Sequence, residues 1–531
     1  MRIVTQLEMK KIEEAAGSKY QFNEHLIVEH VGVLGAQIVE ERIVALGAEV
    51  DVIVLIGKGN NGADGLAMAR NLARPERTVR AFVLFDEKEL SPENRTQLTM
   101  ARGYGVKVDF LHDMDGVETF FAQNALPKFV IDAIFGTGVR LPLSNFIHEV
   151  IHFINQNANY TVSIDVPSGI DGDTGLIQGN AIKADLTLTV GFPKVGHFTA
   201  DGAVLSGDVS VLEVGFPPIL VHEGGDKFLL TRENVPYNNT RSKFGDKKIF
   251  GHTLVIGGSH GFSGAPIMAS RASLRAGSGL VTLCTWENQY QETAARLGPE
   301  IMTGFVPNDQ TKWGKLLQGL DKYDSLVIGP GLGKSARARR LVLEILNNFA
   351  GPLVLDADAI NALSLKHDSQ VFTIRHAPTI MTPHFGEFAR FCDLSVEAVQ
   401  RNPVGLLKDA IERINCAVLL KGPCTFAGLA DGRTYFNFSP NDGMATGGVG
   451  DVLAGILGGL LAQDPELKRK RDSLSQRYGH THNSALLALY VHTLAGRIAS
   501  EKFGVRAMTA LSLIDTMSEA FAQLDGETNG P

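Results

Sequence analysis

Apolar residues gather in short continuous runs along the chain instead of alternating with polar ones. In the first part these runs are Val52–Ile56, Ala81–Phe85, Phe129–Asp132, Thr161–Asp165 and Leu186–Val190. A second series follows at Thr253–Ile256, Leu280–Leu283, Ser325–Ile328, Leu353–Asp356, Thr379–Thr382 and Val418–Lys421. Continuous apolar runs predict strands covered on both faces, hence parallel sheets sandwiched by helices. Helical periodicity at Leu66–Ala73, Ala265–Ala276 and Val452–Ala462 supplies examples of the connecting helices. Both halves are therefore expected to be α/β. Between them, Val214 to Lys248 is rich in turn residues (Gly215-Phe216-Pro217-Pro218, Gly224-Gly225-Asp226) and carries no long periodic segment. A chain of 531 residues also exceeds the roughly 250–300 residues at which single cores stop growing. Two domains are predicted, 1–225 and 226–531.

Composition narrows the class. A hydrophobic fraction of 44% and a charged fraction of 20% are those of a soluble globular protein. The net charge of −8 argues against a nucleic-acid binder, which needs clustered cations to neutralise phosphates. The one basic run, Lys468-Arg469-Lys470-Arg471, reads as a solvated loop. Cys284, Cys392, Cys416 and Cys424 have no zinc-ligand or disulfide-framework spacing, so a reducing compartment is expected. No run approaches the ~18 apolar residues of a membrane span, and the charged start lacks a signal-peptide core, so a cytoplasmic location is expected.

In the first half the strand Val52–Ile56 runs into Gly57-Lys58-Gly59-Asn60-Asn61-Gly62-Ala63-Asp64-Gly65, with the helix expected from Leu66. A glycine-rich turn at a helix start lets backbone N–H groups approach an anion, and the Asn and Asp side chains add donors and acceptors. Two more strand ends carry an acid and glycines: Asp132-Ala133-Ile134-Phe135-Gly136-Thr137-Gly138 and Asp165-Val166-Pro167-Ser168-Gly169. In a parallel sheet such loops share one edge, where ligands bind. Asn61, Asp132 and Ser168 would then converge as hard oxygen donors, suited to an alkali or alkaline-earth cation. No G-x-G-x-x-G with an acid about twenty residues on is present, which argues against a standard nicotinamide dehydrogenase.

These three loops, in this order, resemble the YjeF N-terminal family of NAD(P)H-hydrate epimerases over roughly residues 1–215, including Phe192-Pro193-Lys194-Val195-Gly196. The resemblance implies a Rossmann-like three-layer αβα domain. It further implies that Asn60, Asn61, Gly62, Ala63 and Asp64, with Gly136, Thr137, Gly138, Val139, Arg140, Leu141 and Pro142, hold the dinucleotide hydrate. Potassium would lie on Asn61, Asp132 and Ser168, and Asp165 would be the catalytic acid/base. Ala63 stands where the family usually has Gly, a costly change if the backbone there needs a positive φ. Glu13 and His30-Val31-Gly32 stand where Asp and an Ala-Gly pair are more usual.

In the second half Asn441-Asp442-Gly443-Met444-Ala445-Thr446-Gly447-Gly448-Val449-Gly450-Asp451 precedes an apolar helix. Glycine N–H groups at a helix start form an anion hole for a transferring phosphoryl group, and Asp451 is placed to take a proton from an attacking hydroxyl. Further strand-end loops follow: Gly257-Gly258-Ser259 leading to Gly264-Ala265-Pro266, Gly329-Pro330-Gly331-Leu332-Gly333, Asp356-Ala357-Asp358-Ala359-Ile360-Asn361, Thr382-Pro383-His384, and Lys421-Gly422-Pro423-Cys424-Thr425. Together they resemble the ribokinase-like NAD(P)H-hydrate dehydratase family, from about 230 to 524.

That resemblance implies phosphorylation of the hydrate's hydroxyl by ADP with Mg2+, then elimination of phosphate to give NAD(P)H and AMP. Asp451 would be the base, with Gly447, Gly448 and Gly450 on the phosphate. Lys421, Gly422, Pro423, Cys424 and Thr425 would contact the nucleotide, and Ala265, Gly331 and His384 the hydrate. Val449 replaces the family's usual Thr and would remove a hydroxyl near the phosphates; Phe385 replaces a common Pro and would reshape only its loop. The implied partners are NADHX, NADPHX and ADP, without nucleic acid or membrane, in a homo-oligomer. An ordinary vitamin or sugar kinase shares the G-x-G-D loop but not the P-G-L-G and D-A-D-A-x-N segments. A non-catalytic YjeF-type scaffold would not need Asp132, Asp165, His384 and Asp451 all intact.

Overall fold

The computed structural model describes residues 1–47, 50–75, 77–123, 128–138, 143–177, 179–237, 244–375, 377–468 and 474–528. The basic run at 468–471 lies outside them apart from the backbone of Lys468. The chain divides into two compact units, Met1–Lys227 and Phe228–Pro531.

In the first unit the strands are β1 (Asp51–Ile56), β2 (Val79–Val83), β3 (Lys107–Phe110), β4 (Lys128–Ala133), β5 (Tyr160–Ile164), β6 (Leu186–Val190) and β7 (Asp208–Leu212). They form one sheet in the order β3-β2-β1-β4-β5-β6-β7, and every neighbouring pair is parallel. Alternate residues of β1 feed opposite faces. Val52, Val54 and Ile56 join one buried cluster; Ile53 and Leu55 join another. Helices therefore cover the sheet on both sides, giving the expected three-layer α/β arrangement. The strand order reverses between β1 and β4, which opens a crevice beyond their C-terminal ends.

The second unit has β8 (Lys227–Leu229), β9 (His252–Ile256), β10 (Leu280–Trp286), β11 (Met302–Val306), β12 (Ser325–Ile328), β13 (Leu353–Leu355), β14 (Thr379–Met381), β15 (Ala417–Leu420), β16 (Cys424–Gly428) and β17 (Thr434–Phe438). Their order is β11-β10-β9-β12-β13-β14-β15-β16-β17-β8. From β11 to β15 the pairs are parallel, but β15–β16 and β16–β17 are antiparallel. The expectation of a wholly parallel sheet is thus corrected at this edge. Lys421–Pro423 is too short for a crossover, and a short link joins antiparallel neighbours. Val255, Val327, Val354 and Ile380 meet the helices Gly264–Arg275, Val449–Gln463, Leu474–Phe503 and Ala510–Thr528 in one cluster, and Leu254, Ile256, Leu326 and Leu355 are buried on the other face. Here too the order reverses, between β9 and β12.

Three helix boundaries differ from the sequence pattern. The first runs over Asn60–Leu72, six residues earlier than expected; the others over Gly264–Arg275 and Val449–Gln463. Most of the glycine-rich segment after β1 is therefore helix, not turn. Its glycines are there for close packing: a Cβ at Gly62 would lie 2.2 Å from Gly57 O, and one at Gly65 would lie 2.4 Å from Ala133 Cβ.

Candidate active sites

The crevice of the first unit is a cavity of about 840 Å³ beyond β1, β4 and β5. Asn60, Asn61, Asp64, Gly136, Thr137, Gly138 and Asp165 all line it. Gly62 and Ala63 do not. Ala63 is helical, without a positive φ, and its methyl packs with Val28 and Ala67, so the anticipated backbone strain is absent. The same packing explains Gly32, where a Cβ would lie 2.6 Å from Ala67 Cβ. Val139, Arg140, Leu141 and Pro142 lie outside the described residues.

Asp165 is the strained residue of this site. It follows β5 with φ of 66°, in the left-handed region that non-glycine residues seldom occupy. Such strain persists where surroundings over-determine it, and here they do. The Lys194 ammonium, fully buried, pairs with Asp165 Oδ1 and donates to Thr189 Oγ1 at 3.0 Å and Val190 O at 3.1 Å. His197 Nε2 donates to Asp165 O at 2.9 Å while its Nδ1 accepts from Lys194 N at 3.2 Å. Burial, then the Lys194 charge, pushes His197 down to about 4, so the ring is neutral and fixed as the Nε2–H tautomer. Burial alone would raise the Asp165 carboxyl, but the Lys194 charge and hydrogen bond outweigh it and hold the pKa below the ordinary value.

Asp132 and Ser168 are brought together directly. Asp132 accepts from Ser168 Oγ at 2.6 Å, Ser168 N at 2.8 Å, Ser163 Oγ at 2.8 Å and Ile134 N at 3.2 Å. Asn61 stands across Gly136 from Asp165: a Cβ at Gly136 would lie 3.2 Å from Asn61 Oδ1 and 3.1 Å from Asp165 Oδ2. Both amide atoms of Asn61 are buried without a hydrogen-bond partner. A buried orphan oxygen is costly unless a ligand satisfies it.

In the second unit the loops that carry Asp356, Asp358, Glu387 and Lys421 bring their charges to bear on Asp451. The helix starts at Val449, so Gly450 and Asp451 lie in its first turn, where backbone N–H groups are free for an anion. Gly448 has φ of 97°, and a Cβ there would strike Met268 Sδ at 2.6 Å; space around Gly447 is open. A Cβ at Gly450 would lie 2.9 Å from Lys421 Nζ, which in turn donates to Asp356 Oδ1 at 2.9 Å. Thr382 Oγ1 also donates to Asp356 Oδ1, at 2.7 Å. Burial, then the negative charge of Asp356, pushes Asp451 up to about 7, with Lys421 opposing. A base poised near neutrality suits proton abstraction at physiological pH.

His384 caps the helix Phe385–Cys392: its Nδ1 accepts from Gly386 N at 3.0 Å and Glu387 N at 3.3 Å, its Nε2 lies 3.4 Å from Glu387 Oε1, and the side chain is half exposed. Burial, then Lys421, lowers its pKa, so it is neutral. Ala265 and Gly331 face each other, with 3.4 Å between Ala265 Cβ and a Cβ placed at Gly331 (φ 60°). Lys421 N donates to Pro383 O at 2.7 Å, joining the two loops, and Phe385 lies over Gly422 rather than merely reshaping its loop. Cys424 and Thr425 open β16; the Cys424 thiol is buried, and burial pushes its pKa up. The Val449 side chain belongs to the apolar core cluster, not to the phosphate side of the loop. Its carbonyl accepts from His492 Nε2 at 3.0 Å, a buried ring that burial pushes down to about 4.

Sequence reasoning did not single out Lys194, His197 or His492 as site residues. The first two stand on a strand-end loop after β6, a signal that was available. His492 comes from mid-helix and had none.

Two family models match the chain: NAD(P)H-hydrate dehydratase over residues 253–519 and YjeF-related protein N-terminus over residues 24–196. The bifunctional NAD(P)H-hydrate repair enzyme of Moorella thermoacetica is 34% identical over 99% of this chain and 98% of that protein. The enzyme of the same description from Thermofilum pendens is 31% identical over 99% of this chain and 97% of its own length. Among solved structures, an ADP/ATP-dependent NAD(P)H-hydrate dehydratase from Bacillus subtilis, co-crystallised with ATP and Mg2+, superposes with a TM-score of 0.47 at 25% identity, covering 56% of this chain and 98% of that one. With full-length identity to these relatives and both domain models in order, the chain belongs to the family of bifunctional NAD(P)H-hydrate repair enzymes.

Proposed function

We propose that the first unit interconverts the R and S epimers of hydrated NADH and NADPH, and that the second dehydrates the S epimer at the expense of ADP or ATP. The observation that carries this reading is the pair of differently tuned carboxylates. Asp165 is held ionised by Lys194, and Asp451 is poised near 7 beside a helix-start anion site.

In the first unit Asp165 would act on the hydroxyl of the hydrated carbon, assisting its reversible opening. Potassium fits the donor set, because the orphaned Asn61 Oδ1 stands at the same sheet edge as the Asp132–Ser168 pair. When bound it would supply a fixed positive charge near the dinucleotide, held by Asn61, Asp132 and Ser168. In the second unit Asp451 takes the hydroxyl proton as the terminal phosphoryl group of ADP moves to that oxygen. Phosphate then leaves with the C–O electron pair while the neighbouring carbon gives up a proton to the departing phosphate, restoring the ring double bond and leaving AMP. Gly447, Gly448 and Gly450 cradle the phosphoryl oxygens, and Lys421 lies against Gly450 where the chain of phosphates would run. Magnesium keeps much of its water shell and takes one or two carboxylates plus phosphates. That suits a pocket with Glu387 and Asp451 and, among the described residues, no ready group of three metal-ligating side chains.

The test incubates the full chain with acid-prepared NADH hydrate, magnesium and either ADP or ATP, following recovery of the reduced-nicotinamide absorbance. Asp451→Asn is expected to lower recovery by about 10²–10⁴-fold while R/S interconversion persists. No recovery by the unaltered protein with either nucleotide rejects the dehydratase reading. A fully active Asp451→Asn rejects the assignment of the base.

A further inference from the structure

The epimerase reading leaves one buried acid of the first cavity without a role in chemistry. Asp64, in the first turns of the Asn60–Leu72 helix, lines the cavity with Asp165 and is only 8% exposed. Its Oδ1 is buried and accepts no hydrogen bond. The charged groups that act on it most are acids: Asp165 after β5, Glu13 and Glu24 on the two N-terminal helices, and Glu93 on the Pro92–Gly103 helix. Of the two lysines that line the cavity, Lys194 pairs with Asp165, and Lys58 Nζ lies 3.9 Å from Glu89 Oε1. A carboxyl desolvated among carboxylates and lacking a counter-charge keeps its proton, and burial first and then Asp165 push Asp64 well above the ordinary value. Asp165 meanwhile is ionised. Two carboxyls driven to opposite protonation states in one cavity form an acid and a base.

We propose that Asp64 is the second proton-transfer group of the epimerase cavity, donating to the ring nitrogen of the hydrate while Asp165 accepts the hydroxyl proton. The step balances. Water added beside the ring nitrogen leaves a carbon bearing both hydroxyl and nitrogen. Asp165 takes the hydroxyl proton, the O–H pair becomes the new C=O bond, and the C–N bond breaks. Its electron pair stays on nitrogen, which takes the Asp64 proton. The aldehyde carbon turns, nitrogen adds to its other face, and both protons retrace their paths. Each carboxyl ends the cycle as it began, and no outside oxidant or base is consumed. Lys194, buried and fixed by three acceptors, keeps Asp165 ready to accept. Gly136 lines the cavity between Asn61 and Asp165, where even a Cβ would crowd both side chains.

The proposal rests on the epimerase reading, and the test separates the two. In the full chain, R-to-S interconversion is measured for the unaltered protein, Asp64→Asn and Asp64→Glu, with the thermal unfolding of the first unit followed as a control on its folding. Asp64→Asn is expected to lose about 100-fold or more in kcat with KM held within about threefold, because the amide keeps the shape but cannot give up a proton. Asp64→Glu, which restores a carboxyl, is expected to recover part of that loss. If Asp64→Asn does not fold, Asp64→Glu must still respond in kcat rather than KM. A loss seen only in KM, or an Asp64→Asn kcat close to normal, overturns the proposal. If the unaltered protein does not interconvert the epimers, the epimerase reading itself falls.

Discussion

Asp356→Asn isolates the interaction that tunes the dehydratase base. Asp356 is buried, and after burial itself its charge is the largest influence raising Asp451 to about 7. Lys421 Nζ lies 2.9 Å from Asp356 Oδ1 and equally close to a Cβ position at Gly450, the neighbour of Asp451. A unit charge acting over roughly 7 Å at an effective dielectric of about 20 amounts to about 2–2.5 kcal/mol, or nearly 2 pKa units. Asparagine keeps the shape and the acceptor for Thr382 Oγ1 while removing the charge. It also frees Lys421 to pair with Asp451, which acts in the same direction. The base works when ionised, so kcat rises as pH rises through its pKa. In Asp356→Asn this ascending limb should move from about 7 to lower pH by about 1–2 units. The assay is the pH profile of absorbance recovery at saturating hydrate and nucleotide. A limb that stays in place or moves up refutes the argument. Stability offers a second reading. A raised folded-state pKa gives stability that is full at acid pH and lost as pH rises through about 7, and Asp356→Asn should flatten that decline.

Two further outcomes follow from buried groups. Lys194→Met leaves Asp165 without its counter-charge and should destabilise the first unit by about 3–5 kcal/mol, read as a lower melting transition at neutral pH. Because Asp165 has a depressed folded-state pKa, the stability from this pair is present above the ordinary carboxylate range and lost as pH falls below it. The gap between the two proteins should therefore narrow on acidification, and a constant gap argues against an ionic origin. Val449→Thr places a hydroxyl in an apolar cluster, so a loss of about 1–2 kcal/mol in the second unit is expected by chemical denaturation. Its dehydration kcat should stay near normal, and a clear gain in kcat would show that the hydroxyl does reach the phosphates.

Central strands were legible because burial on both faces leaves a continuous apolar run, as in β1, β4, β5, β9 and β12. The edge strands were not. β3 and β7 are half exposed and read KVDF and DVSVL, where polar positions break the run. The β16–β17 hairpin escaped because Lys421–Thr425 was read as one loop, although Cys424 already begins a strand with its thiol in the core. The Asn60 helix start was hidden by Gly62 and Gly65, which read as breakers when taken alone. Only the packed structure shows that they let the helix approach Gly57 and Ala133.

The sites show the same division between what neighbours in sequence reveal and what only packing decides. Asp165 and Asp451 each stand at the end of a recognisable element beside glycines, so their places were legible. Their protonation was not. Asp165 is held ionised by Lys194, 29 residues away along the chain. Asp451 is kept near neutrality by Asp356, the charge at the end of β13, two positions across the sheet from the β15 strand that leads into Lys421. Asp64 carries the point further. In sequence it is one acid among several polar residues of a glycine-rich loop, and nothing local distinguishes it from Asn60 or Asn61. Its distinction comes from what surrounds it: acids from four other segments of the unit. A carboxyl's type and position are written in the chain, but whether it gives or takes a proton depends on residues that meet only after folding.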